Sequence, residues 1–181
     1  MTTILGLSGS LRRASINSGL LRAARDTAPD SVTIQIGDIS GVPLYDGDLE
    51  AADGAPPAVV KLNRQLAAAD GLLLVTPEYN NGIPGVFKNV IDWMSRGEGL
   101  ALFKGKPVAV IGASPSGFGT AQAQTHWLQV LRTLNTRPWW EGRLMVSRAT
   151  GLFDADGNLT DDKTRQMLAD FVAGFAASLN R

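Results

Sequence analysis

The sequence predicts a three-layer α/β domain, in which a five-stranded parallel sheet carries helices on both faces. Two observations lead to this prediction. Strand patterns and helix patterns alternate along the 181 residues, as the crossover connections of a parallel sheet require. The middle strands are continuous apolar runs, which is typical of strands that are buried on both faces.

The strands are predicted from short apolar segments bounded by glycine, proline or serine. In the second strand, apolar Val32, Ile34 and Ile36 alternate with polar residues, as in a half-buried strand. The third strand is the most continuous apolar run and is stopped by Thr76 and Pro77. The five predicted strands are residues 2–7, 32–36, 71–75, 107–112 and 137–146.

The helices are predicted from apolar residues at helical spacing. Leu20, Leu21 and Ala24 mark the first helix, which Pro29 ends. Residues 41–57, rich in glycine, proline and aspartate, are predicted to be irregular. The five predicted helices are residues 17–28, 59–69, 86–95, 121–134 and 161–179.

Right-handed crossovers leave few ways to order these strands. The flavodoxin-like order 2-1-3-4-5 places ligands beyond the carboxyl ends of the strands, at the switch between strands 1 and 3. The loops with the most informative sequences follow strands 1, 3 and 4, which that order brings together. This coincidence supports the flavodoxin-like order.

The amino-acid composition excludes several classes of partner and of catalytic chemistry. The chain has 17 basic and 17 acidic residues, no cysteine and one histidine, so we expect no nucleic-acid partner, no thiolate catalysis and no metal site. Its N-terminus lacks a signal-peptide pattern, and no apolar run reaches membrane-spanning length. We therefore expect one cytoplasmic domain over residues 1–181, with no membrane partner.

The loop after the first strand, residues 9–17, has the chemistry of a phosphate site. It leads into a helix, whose first N–H groups are unpaired and whose dipole favours an anion. Ser10, Ser15 and Asn17 supply short polar side chains, and Arg12 offers a planar cation for phosphate oxygens. These features predict a cofactor with a phosphate group.

The loop after the third strand begins Pro77-Glu78-Tyr79-Asn80 and runs into the helix at residue 86. A stiff loop of this kind can lay main-chain N–H and C=O groups along the edge of a flat heterocycle while Tyr79 packs nearby. Together with the phosphate loop, it predicts a mononucleotide that has a planar ring.

These motifs resemble those of the NADPH-dependent FMN reductase family, which includes azo, quinone and chromate reductases. The matching pieces are residues 9–17, 42–46 and 76–93, in the order and spacing of the family, and the resemblance covers nearly the whole chain. By that resemblance, the FMN-binding residues are Ser10, Leu11, Arg12, Ser15, Ile16 and Asn17 near the phosphate, Pro77, Glu78, Tyr79 and Asn80 along the isoalloxazine ring, and Ser114 and Gly117 at its other edge.

The resemblance also implies an activity. NADPH or NADH would deliver a hydride to N5 of bound FMN, and a small electron acceptor would then take two electrons in a ping-pong cycle. A quinone, an azo compound, a flavin or a metal oxyanion would be compatible acceptors. No residue would be catalytic by itself, and the chain would form a homodimer or homotetramer.

Two alternatives keep the FMN site without this activity. One is a flavodoxin-type electron carrier, against which the balanced charge and Arg12 argue. The other is an FMN-binding redox regulator, which would hold the cofactor without fast turnover.

Other motifs indicate different chemistry only weakly. Ser8 with His126 could imitate a hydrolase pair, and Asp38 could imitate a ribose-binding acid. Residues 154–158 resemble part of a calcium loop, but we expect a turn there, with Thr160 capping the last helix. Arg96 could lie near the flavin or cap the end of its helix.

Overall fold

The computed structural model describes residues 1–179, which form a parallel sheet between two layers of helices. The strands are β1 (Thr2–Ser8), β2 (Val32–Gly37), β3 (Gly71–Val75), β4 (Pro107–Ala113), β5 (Arg137–Pro138) and β6 (Leu144–Val146). The helices are α1 (Ile16–Asp26), α2 (Gly47–Asp53), α3 (Pro57–Ala68), α4 (Gly85–Met94), α5 (Gly99–Phe103), α6 (Ala121–Thr133) and α7 (Asp162–Leu179).

The sheet has the predicted order β2-β1-β3-β4-β5, and every pairing in it is parallel. Leu5 of β1 pairs with Leu72 of β3, which in turn pairs with Val108 of β4. All five residues of β3 are buried, as its continuous apolar run predicts. The flavodoxin-like order is therefore confirmed.

The fifth strand differs from its prediction, because two short strands replace the single run 137–146. Both β5 and β6 pair with β4, and the chain leaves the sheet between them. Pro138 has no N–H to donate to a ladder. Trp139 packs its ring against Phe171 and Phe175 of α7, with ring centroids 5.0 and 5.7 Å apart.

Two helices, α2 and α5, were not predicted from the sequence. Helix α2 lies within the segment expected to be irregular; Asp46 caps it by accepting the Asp48 N–H at 2.9 Å. No residue of α2 is buried, so the sequence of this helix lacks the periodic apolar face from which a helix is predicted. Helix α5 has only five residues, which is too short for helical periodicity.

The core has two layers, one on each face of the sheet. On one face, α1 and α7 cover side chains that include Leu73, Val75 and Ile111. On the other face, α3, α4 and α6 cover Leu72 and Leu74. Because α1 follows β1 on one face of the sheet and α4 follows β3 on the other, a crevice opens at the carboxyl ends of β1 and β3.

None of the helices within residues 1–179 is long and apolar enough to cross a membrane.

Candidate functional site

A cavity of about 330 Å³ lies where the loops after β1, β3 and β4 meet. Nine of the twelve predicted cofactor-binding residues line it, and Leu11, Asn80 and Gly117 do not. Its volume falls in the range of small-molecule sites. The predicted residues that line it are Ser10, Arg12, Ser15, Ile16, Asn17, Pro77, Glu78, Tyr79 and Ser114.

The phosphate loop ends in a capped helix. The Ser15 side chain accepts the Ser18 N–H at 3.3 Å, and the Ser15 carbonyl accepts the first intrahelical bond, from Gly19 at 2.9 Å. The N–H groups of Ile16 and Asn17 precede that bond, so the helix itself gives them no partner. Since both residues line the cavity, this end of it is suited to an anion.

The Asn17 side chain has a different role from the one its motif suggests. Its amide donates to the Ala113 carbonyl and accepts the Ala113 N–H, both at 2.9 Å. Asn17 is 3% exposed, so this pair of bonds is shielded from water. The side chain thus pairs with the end of β4 as a neighbouring strand would, and Asn17 can offer an anion its main-chain N–H.

Arg12 is the available cation of the site. Its main-chain N–H donates to Ser10 Oγ at 3.3 Å, which folds the loop back on itself. Within residues 1–179 the Arg12 guanidinium has no ion-pair or hydrogen-bond partner, and Arg12 lines both this cavity and a second one beside the loop. Leu11 is 61% exposed and lines a separate cavity on the other side of the loop.

The loop after β3 contains a tight hairpin. Tyr79 and Gly82 exchange main-chain hydrogen bonds of 3.2 and 2.9 Å across Asn80 and Asn81. Both asparagines have positive φ, 49° and 61°, as a two-residue hairpin turn requires. Asn80 therefore forms the turn, while Tyr79, which is 54% exposed, lines the cavity.

Glu78 joins this loop to α6. Its carboxylate accepts the Ala123 N–H at 2.9 Å, in the first turn of that helix. A negative charge is favourable at a helix N-terminus, so the contact stabilises both partners. It fixes the loop after β3 relative to the helix that follows β4.

The loop after β4 supplies Ser114, which is 9% exposed. Its hydroxyl accepts the Ser116 N–H and bonds the Ser116 hydroxyl, each at 3.2 Å, so it shapes the loop. Gly117 is exposed and lies outside the cavity lining.

The remaining wall of the cavity consists of residues that were not predicted to bind the cofactor. That wall includes Ala113 and Pro115 after β4 and a segment after β6 that crosses back over α1. The lining residues contributed by that segment are Ala149, Thr150, Gly151, Phe153 and Asp154.

Arg96 joins a cluster with two residues outside the helix that it follows. It lies outside the cavity lining and pairs with Glu50 of α2 at 3.0 Å, with its guanidinium over the Tyr45 ring. The Tyr45 hydroxyl donates to Glu50 at 2.8 Å. That bond lowers the pKa of Glu50 and raises the pKa of Tyr45. The group ties α2 to the end of α4.

The residues of the motifs that only weakly indicated other chemistry also have structural roles. The Ser8 hydroxyl bonds that of Ser18 at 3.0 Å, and the Asp38 carboxylate accepts the Ser40 N–H at 2.9 Å. The Ser40 hydroxyl and N–H lower the pKa of Asp38. Asp161, and not Thr160, caps α7 by accepting the Thr164 N–H at 2.7 Å, so the Thr160 prediction was wrong.

Comparison with known proteins gives concordant results. The family model described as NADPH-dependent FMN reductase matches residues 2–151. An NAD(P)H-dependent FMN reductase of Pseudomonas aeruginosa is 48% identical over 165 residues, covering 91% of this chain and 88% of that protein. A 2-hydroxy-1,4-benzoquinone reductase from a Burkholderia species is 40% identical over 169 residues, covering 93% of this chain and 91% of that protein.

The solved structure of FerB, a flavoenzyme NAD(P)H:(acceptor) oxidoreductase from Paracoccus denitrificans, superposes with a TM-score of 0.87 at 34% identity. The superposition covers 99% of this chain and 98% of that one. The family match over residues 2–151 and these similarities show that the chain belongs to the NADPH-dependent FMN reductase family and is an oxidoreductase that uses FMN and NAD(P)H.

Proposed function

We propose that the cavity between the loops after β1, β3 and β4 is the FMN site, and that the chain reduces a small quinone at the expense of NAD(P)H. The observation that carries this proposal is the meeting of nine predicted cofactor-binding residues, from three separate loops, in one cavity of about 330 Å³. The quinone is proposed because a relative 40% identical to this chain is a benzoquinone reductase.

The residues present fit the two ends of FMN. At one end, the cavity is lined by Arg12 and by Ile16 and Asn17, whose N–H groups begin α1 without an intrahelical partner, and this suits a phosphate. At the other end, Pro77 and Tyr79 offer a flat surface for the ring. The cavity therefore has a charged end for the phosphate of FMN and an aromatic end for its ring.

The chemistry that bound FMN supplies is acceptance of a hydride from NAD(P)H and delivery of two electrons to the acceptor. The chain's own residues then have to bind and orient. Main-chain N–H groups and Arg12 would hold the phosphate, and the Glu78 bond to Ala123 keeps the loop after β3 in place. Tyr79, exposed at the cavity, leaves room for a second flat molecule to approach.

An anaerobic absorbance experiment tests the activity. The protein is reconstituted with FMN, freed of excess cofactor, treated with NADPH and then with a benzoquinone. We expect a bound-flavin spectrum that bleaches with NADPH and returns with the quinone. A protein that retains no flavin contradicts the proposed site. Binding without bleaching contradicts the proposed activity and favours a carrier or regulator.

The proposal extends to assembly and location. Leu44 and Phe118 are large apolar side chains that are 82% and 81% exposed. We propose that the chain forms a homodimer or homotetramer that covers these two side chains. We also propose that residues 1–181 form one domain, of which residues 180 and 181 lie outside the described residues. Light scattering of the wild type and of Phe118→Asp tests the assembly. Use of NAD(P)H supports a cytoplasmic location, which cell fractionation tests.

A further inference from the structure

The segment after β6 forms a wall of the cavity that lies against the phosphate loop. Thr150, Gly151, Phe153 and Asp154 line the cavity together with residues of that loop. We call residues 149–158 the wall segment. Its position after the last strand brings it back across α1, and Phe153 forms a bridge with Leu159, which is buried in the α1–α7 core layer.

The wall segment contacts α1 and the phosphate loop at two glycines, Gly19 of α1 and Gly157 of the wall segment. A Cβ on Gly19 of α1 would collide with the Gly157 carbonyl. A Cβ on Gly157 would lie 2.9 Å from the Ala14 carbonyl carbon and 3.0 Å from the Ser15 carbonyl oxygen. Gly157 also has φ +77°, which L side chains rarely adopt. The two backbones thus approach as closely as glycine allows, beside the residue that caps α1.

Hydrogen bonds fix the shape of the wall segment and fasten it to α1. One oxygen of Asp154 accepts the N–H groups of Asp156 at 3.0 Å and Asn158 at 2.7 Å, and the other accepts the Asn158 amide at 3.1 Å. The side-chain oxygen of Asn158, Oδ1, accepts hydrogen bonds from Arg22 Nε at 3.2 Å and Arg22 Nη2 at 2.7 Å. Asp154 therefore shapes the turn, and Asn158 connects it to α1.

These bonds also account for the partial likeness to a calcium loop. The Asp154 carboxylate is turned toward N–H donors of its own turn, and the Asn158 N–H groups lower its pKa. Residues 1–179 contain no group of three acidic, histidine or cysteine side chains that could hold a metal ion. The acidic motif serves the backbone of the turn.

We propose that the wall segment is a positioning element of the FMN site, in which Gly157 and Asp154 hold residues 14–17 so that their N–H groups and Arg12 meet the phosphate. The inference rests on the proposed FMN site and adds to it a part of the chain that lies outside the FMN-binding motifs. It predicts that disturbing the turn weakens the grip on the phosphate and leaves contacts with the ring unchanged.

The test compares Gly157→Ala with Gly54→Ala, using FMN and riboflavin as ligands of the flavin-free protein. Gly54 has φ +74°, close to that of Gly157, and a Cβ there meets nothing within 4 Å. Both variants place alanine at a positive φ, and only Gly157→Ala also pushes on Ala14 and Ser15. Riboflavin lacks the phosphate, so the ratio of the two dissociation constants isolates the phosphate contacts.

For Gly157→Ala we expect the FMN dissociation constant to rise about tenfold or more, the loss of one hydrogen bond to a charged group, with that of riboflavin unchanged. Gly54→Ala should match the wild type with both ligands. An unchanged FMN-to-riboflavin ratio in Gly157→Ala overturns the inference. A wild type that binds neither flavin contradicts the proposed site instead, which keeps the two failures apart.

Hydrogen–deuterium exchange provides a readout without any flavin. In the flavin-free protein, Gly157→Ala should speed exchange in residues 14–19 relative to Gly54→Ala, because the phosphate loop loses its support. Equal exchange in the two variants overturns the inference. Should Gly157→Ala fail to fold, Asn158→Ala removes the Arg22 connection without changing the backbone, and the same ratio and the same exchange are measured on it.

Discussion

At the scale of single residues, Arg12 has the simplest consequence. Its guanidinium lines the cavity and has no partner within residues 1–179. Arg12→Ala should weaken FMN binding by about 1.5–3 kcal/mol, the range for a hydrogen bond to a charged group. Fluorescence titration measures this. Arg13→Ala, the adjacent exposed arginine outside the cavity lining, is the matched control. Equal affinities for all three proteins would refute the phosphate role of Arg12.

Asn17 should affect stability as well as the cofactor. Asn17→Ala leaves the main-chain N–H and C=O of Ala113 without their buried partner. Such a loss costs about 1–3 kcal/mol of unfolding free energy. Urea denaturation of the flavin-free protein measures it, with the exposed Gln122→Ala as control. A wild-type midpoint for Asn17→Ala would show that the bond to β4 is not needed.

These residues show what a motif can and cannot specify. The sequence predicted that Asn17 and Asn80 belong to the site, because they lie in recognisable loops. It could not predict that the Asn17 side chain would pair with Ala113, which is 96 residues away in the chain. Nor could it predict that Asn80, at φ 49°, would form a turn outside the cavity lining.

At the scale of elements, the N-terminus of α7 offers a test by pH. The Thr164 hydroxyl and N–H donate to Asp161 and lower its pKa. A carboxylate with a lowered pKa stabilises the fold above its unfolded pKa and loses that effect as pH falls through the folded value. Asp161→Ala should therefore lower the urea midpoint at pH 7 and differ much less from the wild type near pH 2.

Asp161→Asn is the control for this prediction, because asparagine keeps an acceptor for the helix N–H but loses the charge. It should resemble the wild type more than Asp161→Ala does at pH 7. A difference between wild type and Asp161→Ala that is as large at low pH as at pH 7 would contradict the assignment of the cap.

Elements with a strong internal pattern were predicted well, and elements set by distant contacts were not. The apolar run of β3 was predicted with its bounds. The interruption between β5 and β6 depends on Trp139 packing against Phe171 and Phe175, which lie far along the chain. The wall segment was missed as part of the site for the same reason, since only tertiary folding carries it to α1.

At the scale of the whole molecule, cofactor binding should raise stability. A ligand at 100 times its dissociation constant adds about 2.7 kcal/mol to the folded state. For a chain of this length that raises Tm by about 5–10 °C. Thermal melts with FMN and with riboflavin measure it, and Arg12→Ala should lose part of the FMN increment while keeping the riboflavin increment. An FMN melt identical to the ligand-free melt would contradict binding.

The divided fifth strand also bears on how the molecule behaves at high concentration. A long unpaired strand at the border of a sheet can recruit the backbone of another chain and start aggregation. Here that border consists of pieces of two and three residues, one of them containing Pro138. Neither piece is long enough to template an intermolecular sheet, so the detour through Trp139 keeps this side of the protein from polymerising.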